Sequence, residues 1–156
     1  ALDILLKQLP TDDKYPFQLP FHGAFHTPLM EAISANGLAK LPSTFFQKSN
    51  IPLVDGRGHI WSPYSTNISE LHAYTLGHQV LETYDFSKAV SVVIKEFCPD
   101  KLVLLGPGNS LGGSIGQIMI ENNWLDIDSK KAFSSLQKQD PYLLSMGIKE
   151  QRDLVC

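Results

Sequence analysis

The run Lys101-Leu-Val-Leu-Leu, near-continuously apolar and cut off by Gly106-Pro107-Gly108, constrains this chain more than any other feature. An unbroken apolar run of strand length reads as a strand covered on both faces, the pattern of parallel sheets. Phe86, Val90, Val93 and Phe97 precede it at helical spacing and predict an amphipathic helix ending at Pro99. Helical patterns follow over 110–123 and 129–139, the second stopped before Pro141. Strands alternating with helices predict an α/β fold with a mostly parallel sheet flanked by helices.

The rest of the chain fits that alternation. Residues 1–9 read as a short helix closed by Pro10, and 16–22 as a strand that Pro20 weakens or marks as an edge. Pro28, then Met30, Ile33, Leu38 and Leu41, predict a helix directly behind His26. Asn50-Ile-Pro-Leu-Val is a short strand, and Asp55-Gly-Arg-Gly a turn before His59-Ile-Trp. Asn67 or Ser69 can cap a helix running to about Tyr84, with Glu70 at capping-box spacing from Asn67. The chain starts at Ala1 directly in helix-like sequence, which suits a piece of a larger protein.

Of the 156 residues, 43% are hydrophobic and 19% charged, with a net charge of −3. No basic run points to nucleic acid or to an anionic membrane surface. The apolar runs are too short to span a bilayer, and Leu2–Leu6 lacks the basic start of a signal peptide. Two cysteines, Cys98 and Cys156, make no disulfide framework, so a reduced, cytoplasmic protein is expected. Cys98, before Pro99 and without a basic neighbour, reads as a small buried apolar residue.

Among the polar residues, His26 in Phe21–Met30 (FHGAFHTPLM) is the candidate general base, since imidazole chemistry operates near neutrality. His22 and His26 are four apart, but Gly23 and Pro28 oppose a helix, and on a strand the pair would lie roughly 13 Å apart. No single ion bridges that gap, and His59, His72 and His78 show no ligand spacing, so no metal site is expected. Gly108-Asn-Ser-Leu-Gly112 matches the G-x-S-x-G nucleophile elbow in a strand-to-helix context. Two features oppose that reading. No histidine follows Ser110, as the hydrolase order requires, and Pro107-Gly108 spells a type II turn with positive φ at Gly108. Ser110 is then expected to cap the following helix. Gln79 carries no local signal and reads as a solvated glutamine.

AFHTPLM at 24–30, Ser49-Asn50-Ile51 leading into Asp55-Gly56, His78-Gln79-Val80, Phe86-Ser87-Lys88-Ala89-Val90 and Leu105-Gly106-Pro107-Gly108 follow one another in a meaningful order. Over residues 16–125 this order resembles the malonyl-CoA:acyl-carrier-protein transacylase family of fatty-acid and polyketide biosynthesis, in its carboxy-terminal half. The resemblance implies three regions. Residues 1–15 would end a small ferredoxin-like subdomain, 16–125 would form the carboxy-terminal part of the α/β-hydrolase-like large subdomain, and 126–156 would be a carboxy-terminal helical extension.

The resemblance also implies chemistry. In the family a serine attacks an acyl-CoA thioester and the acyl group passes to the phosphopantetheine thiol of acyl carrier protein, with no bound cofactor. His26 would be the catalytic histidine, and Gln79 the residue whose main-chain carbonyl orients it. Phe25 would limit the acyl pocket, and Gly106, Pro107 and Gly108 would form a wall of the cleft. The family's G-H-S-x-G serine, its G-Q-G-S-Q segment and its carboxylate-binding arginine are absent here. All precede the histidine in the family's order, so a missing amino-terminal half would supply them and this chain alone would be inactive. Phe86 replaces the family's usual tryptophan. Two alternatives stay open: an independent esterase using Ser110, and a non-catalytic binding or scaffold module.

Overall fold

The computed structural model describes residues 2–11, 23–106 and 108–155. Helix α1 (Leu2–Gln8) comes first. After it, Pro28–Met30 forms a 3-10 turn that leads into α2 (Glu31–Lys40), as proline at a helix start requires. Strands β1 (Leu53–Val54) and β2 (Ile60–Trp61) make an antiparallel hairpin. Asn67 caps α3 (Ile68–Ala73), its Oδ1 accepting from the Ser69 and Glu70 N–H groups. The helix widens into a π turn over Tyr74–His78 and ends as α4 (Gln79–Leu81). Within the widened turn Thr75 Oγ1 donates to the Leu71 carbonyl at 2.8 Å, and Leu76 O accepts from Ser34 Oγ of α2 at 2.6 Å.

Helix α5 (Phe86–Phe97) is capped by Asp85, whose side chain accepts from Lys88 N, and it leads to β3 (Leu102–Leu104). Then come α6 (Gly112–Glu121), α7 (Lys130–Gln139), β4 (Leu143–Ser145) and α8 (Lys149–Arg152). Ile115 and Met119 of α6 join Ile127, Tyr142 and Leu143 in one core. A smaller core joins Trp61, Leu71 and Tyr74. Each fully buried apolar side chain of this size contributes about 1.5–3 kcal/mol, so the larger cluster anchors the carboxy-terminal part of the chain.

The fold is α/β, and the expected mostly parallel sheet flanked by helices is not shown among the described residues. Among the described residues there are two sheets of two strands each, β1-β2 antiparallel and β3-β4 parallel. The strand read over 16–22 lies outside the described residues. The expectation that β3 is covered on both faces is corrected too: Val103 is 38% and Leu105 83% exposed. The physical reason is that β3 has β4 as its one strand partner among the described residues, and Val103 and Leu105 project from the face that β4 and α6 do not cover. The inner strand is β4, buried at all three positions and paired through Leu102↔Leu143 and Leu104↔Ser145. Residues 126–156, expected as a helical extension, therefore contribute a strand and part of the main core as well as helices.

Other local expectations divide. The helix from Asn67 stops at Leu81, short of Tyr84. Cys98 is exposed, not buried: it ends α5 with φ 42°, a left-handed cap that turns its side chain away from the core. Gly108 has the positive φ of 77° that the Pro-Gly turn demands. Ser110, however, does not cap α6. The capping position falls on Leu111, and no side chain caps there.

Candidate active site around His26

The imidazole of His26 sits where a tight turn meets the end of a helix. The last carbonyls of any α-helix lack intrahelical partners, and α4 ends at Leu81. His26 supplies two donors to that end. Its main-chain N–H donates to Val80 O at 3.0 Å, and its Nδ1 lies 2.5 Å from Gln79 O. A carbonyl only accepts, so Nδ1 carries a proton, and in the neutral ring the lone pair is then on Nε2. Among the described residues no hydrogen bond engages Nε2.

His26 adopts φ 63°, a left-handed conformation that non-glycine residues rarely occupy. Such a residue costs of order 1–3 kcal/mol and persists only where its surroundings over-determine it. Here the two bonds to α4 hold it, and Thr27 Oγ1 braces the turn by donating to Ala24 O at 2.7 Å. Tyr84 flanks the imidazole, with ring centroids 5.5 Å apart and planes tilted by 42°. Burial, and then the negative charge of Asp55, push the Tyr84 hydroxyl up, so it stays neutral at physiological pH.

Beside Tyr84 lies a fully satisfied buried carboxylate. Asp55 is 5% exposed. Its Oδ1 accepts from Arg57 N (2.8 Å) and His59 N (3.0 Å), and its Oδ2 from Arg57 Nε (3.1 Å), Arg57 Nη2 (2.6 Å) and Trp61 Nε1 (3.1 Å). Burial alone would raise this carboxyl; the Arg57 guanidinium and the Arg57 and His59 N–H groups outweigh it and hold Asp55 below the usual range. The guanidinium also lies 4.2 Å over the Tyr74 ring. The Tyr74 hydroxyl, pushed up chiefly by burial, accepts from Gly56 N at 3.0 Å.

The predicted site residues do not all come together. His26 and Gln79 meet through the main-chain carbonyl, while the Gln79 side chain takes no part in that bond. Phe25 is 59% exposed next to His26. Gly106 and Gly108 line a different cleft of about 150 Å³ at the end of β3, with Leu104, Leu105, Ser110 and Leu111. Neither His26, Gln79 nor Phe25 borders it. Pro107 lies outside the described residues, as does His22. Ser110 is exposed and carries no hydrogen bond to a histidine among the described residues.

Two participants escaped sequence reasoning. Tyr84 carries no motif. Asp55 had a readable signal: an aspartate with backbone donors two and four residues on, inside a glycine-rich turn, is the pattern of a side chain that closes the turn itself. Among the described residues no group of three or more His, Cys, Asp or Glu side chains could hold a metal ion, and no helix is long and apolar enough to cross a membrane. No family model matches the chain, and neither a curated protein nor a solved structure matches it.

Proposed function

We propose that this chain is the carboxy-terminal portion of an acyltransferase that moves a malonyl or similar acyl group from CoA to the phosphopantetheine thiol of acyl carrier protein. The observation that carries the reading is the Nδ1–H of His26 given to the Gln79 carbonyl at 2.5 Å, which leaves Nε2 as the proton acceptor. A strained residue doubly tied to a helix end supports a catalytic role more than a packing one.

The steps follow from that ring. A serine from a segment outside these residues attacks the thioester carbonyl while Nε2 takes its Oγ proton. The tetrahedral adduct collapses, the C–S bond breaks, and Nε2 returns the proton to the departing CoA thiol. The carrier's thiol then attacks the serine ester, giving its proton to Nε2, and the serine oxygen leaves with that proton. Gln79 O keeps the Nδ1 proton in place through both halves. Alone, the chain lacks the nucleophile and the oxyanion donors, which together are worth several orders of magnitude in rate.

The exposed apolar side chains Phe25, Leu29 (82%) and Ile33 (59%), on the segment that carries His26 and leads into α2, support a partner segment lying over this region. The test is transfer of labelled malonyl from CoA to carrier protein by the native assembly, with the amino-terminal sequences of all its chains determined. A partner bearing G-H-S-x-G, with transfer lost in His26→Ala, is the expected result. An active assembly indifferent to His26→Ala would refute it.

A further inference from the structure

We propose that Tyr84 is the positioning residue for the His26 imidazole, and that it is seated by the bare backbone of Gly56; the proposal rests on reading His26 as the general base. The hydrogen bond from Nδ1 to Gln79 O fixes that nitrogen, while small changes in the side-chain torsions can still tilt the ring about it. Nε2 is the atom that must meet the nucleophile, and it lies on the far side of the ring, where such a tilt moves it most. A second contact, on the ring itself, removes the freedom. Tyr84 makes that contact at 5.5 Å between centroids.

Tyr84 is held in turn by the Asp55–Gly58 turn. A Cβ placed on Gly56 would come within 2.5 Å of Tyr84 Cδ2 and 2.8 Å of Cε2 and Cγ. Gly56 has no positive φ, so glycine serves close approach here rather than backbone freedom. The same residue clamps its surroundings through both main-chain groups: its N–H donates to the Tyr74 hydroxyl at 3.0 Å, and its carbonyl accepts from Asp85 N at 3.1 Å. The buried, fully bonded Asp55 carboxylate keeps the turn rigid. A chain of fixed contacts thus runs from Asp55 through Gly56 and Tyr84 to the imidazole. Catalysis gives such fixation its value, because a 1 Å misplacement of a reacting group costs on the order of 100-fold in rate.

The test uses the whole chain labelled with ¹⁵N in its histidine rings. Long-range proton–nitrogen NMR reads which ring nitrogen of His26 is protonated, with its signals identified by their loss in His26→Asn. Wild type should show the Nδ1–H tautomer. Tyr84→Phe, which keeps the ring, should match it. Tyr84→Leu removes the flanking face and Gly56→Ala displaces it; both should speed exchange of the His26 Nδ1–H with water by roughly tenfold or more and populate the second tautomer. If Tyr84→Leu fails to fold, Gly56→Ala decides alone. Folded variants with unchanged His26 signals would overturn the proposal. In the active assembly, Tyr84→Leu and Gly56→Ala should lower kcat while KM for the acyl-CoA stays within about twofold. A wild-type assembly that transfers no acyl group defeats the acyltransfer reading instead, and the NMR comparison still judges Tyr84.

Discussion

Replacing Asp55 by alanine should destabilise the protein by about 3 kcal/mol. The carboxylate accepts from Arg57 N, Nε and Nη2, His59 N and Trp61 Nε1. These five donors do not lose equally. The Arg57 side chain is 41% exposed and can turn to water, so its share is that of a surface ion pair, roughly 0.2–1 kcal/mol. Trp61 is 6% exposed, and an orphaned indole N–H there costs about 1–3 kcal/mol. The two main-chain donors add about 0.5–1.5 kcal/mol each, less their overlap with the rest. The strand pairing itself adds little, because β1 and β2 pair over only two residues each. In a chain of this size the loss lowers Tm by roughly 6–12 °C. Asp55→Asn keeps the shape and one acceptor oxygen but turns an amide N–H₂ towards donors, so it should cost about 2 kcal/mol. The assay is urea unfolding followed by circular dichroism and by tryptophan fluorescence, with coincident curves as the check on two-state behaviour. A cost below about 1 kcal/mol for Asp55→Ala would mean that the turn stands without its carboxylate, and the reasoning would fail.

Four further outcomes are expected. Asp55 titrates below its ordinary range in the folded state, so its contribution is complete above the unfolded carboxylate value near ~4 and is lost as pH falls through the lower folded value. The stability gap between wild type and Asp55→Asn should therefore be flat around neutrality and close in acid; a gap that widens in acid contradicts the bonding described. Met119, 0% exposed in the main core, should lose about 2–5 kcal/mol on truncation to alanine, whereas Leu154→Ala, at a side chain 61% exposed, should stay within about 0.5 kcal/mol by denaturant titration. Gln79→Ala retains the main-chain carbonyl that holds His26, so acyl transfer by the assembly should fall by no more than about threefold; a loss as large as that of His26→Ala would assign the side chain a role of its own. A serine-directed fluorophosphonate should leave Ser110 of the isolated chain unmodified, and labelling there would restore the esterase reading.

How much could be read beforehand depended on the range of the forces involved. The start of α3 at Asn67 and the turn at Gly108 follow from a side-chain oxygen and a positive φ that act within three or four residues. The main-chain contact between Gln79 and His26 was expected from family resemblance, not from local chemistry, and these two residues lie 53 apart in sequence. The reading of Ser110 as a cap failed because the turn runs one residue further, and Gly112 N bonds Asn109 O instead. Cys98 was misjudged because its residue type favours burial while its left-handed cap conformation turns it outward.

By itself the sequence determined the cap at Asn67, the amphipathic helix that starts at Phe86, the turn glycine at Gly108 and the setting of His26 before Thr27-Pro28, since each is decided by neighbours along the chain. Tertiary structure alone decided which apolar run lies innermost. Leu143–Ser145 is only three residues long, and it is buried because α6, α7 and β3 close around it, while the longer run at 102–105 leaves Val103 and Leu105 exposed. It alone also brought Tyr84, seated against Gly56, up to His26. Close approach between distant segments depends on the absence of a side chain at Gly56, and a missing side chain has no periodicity to read.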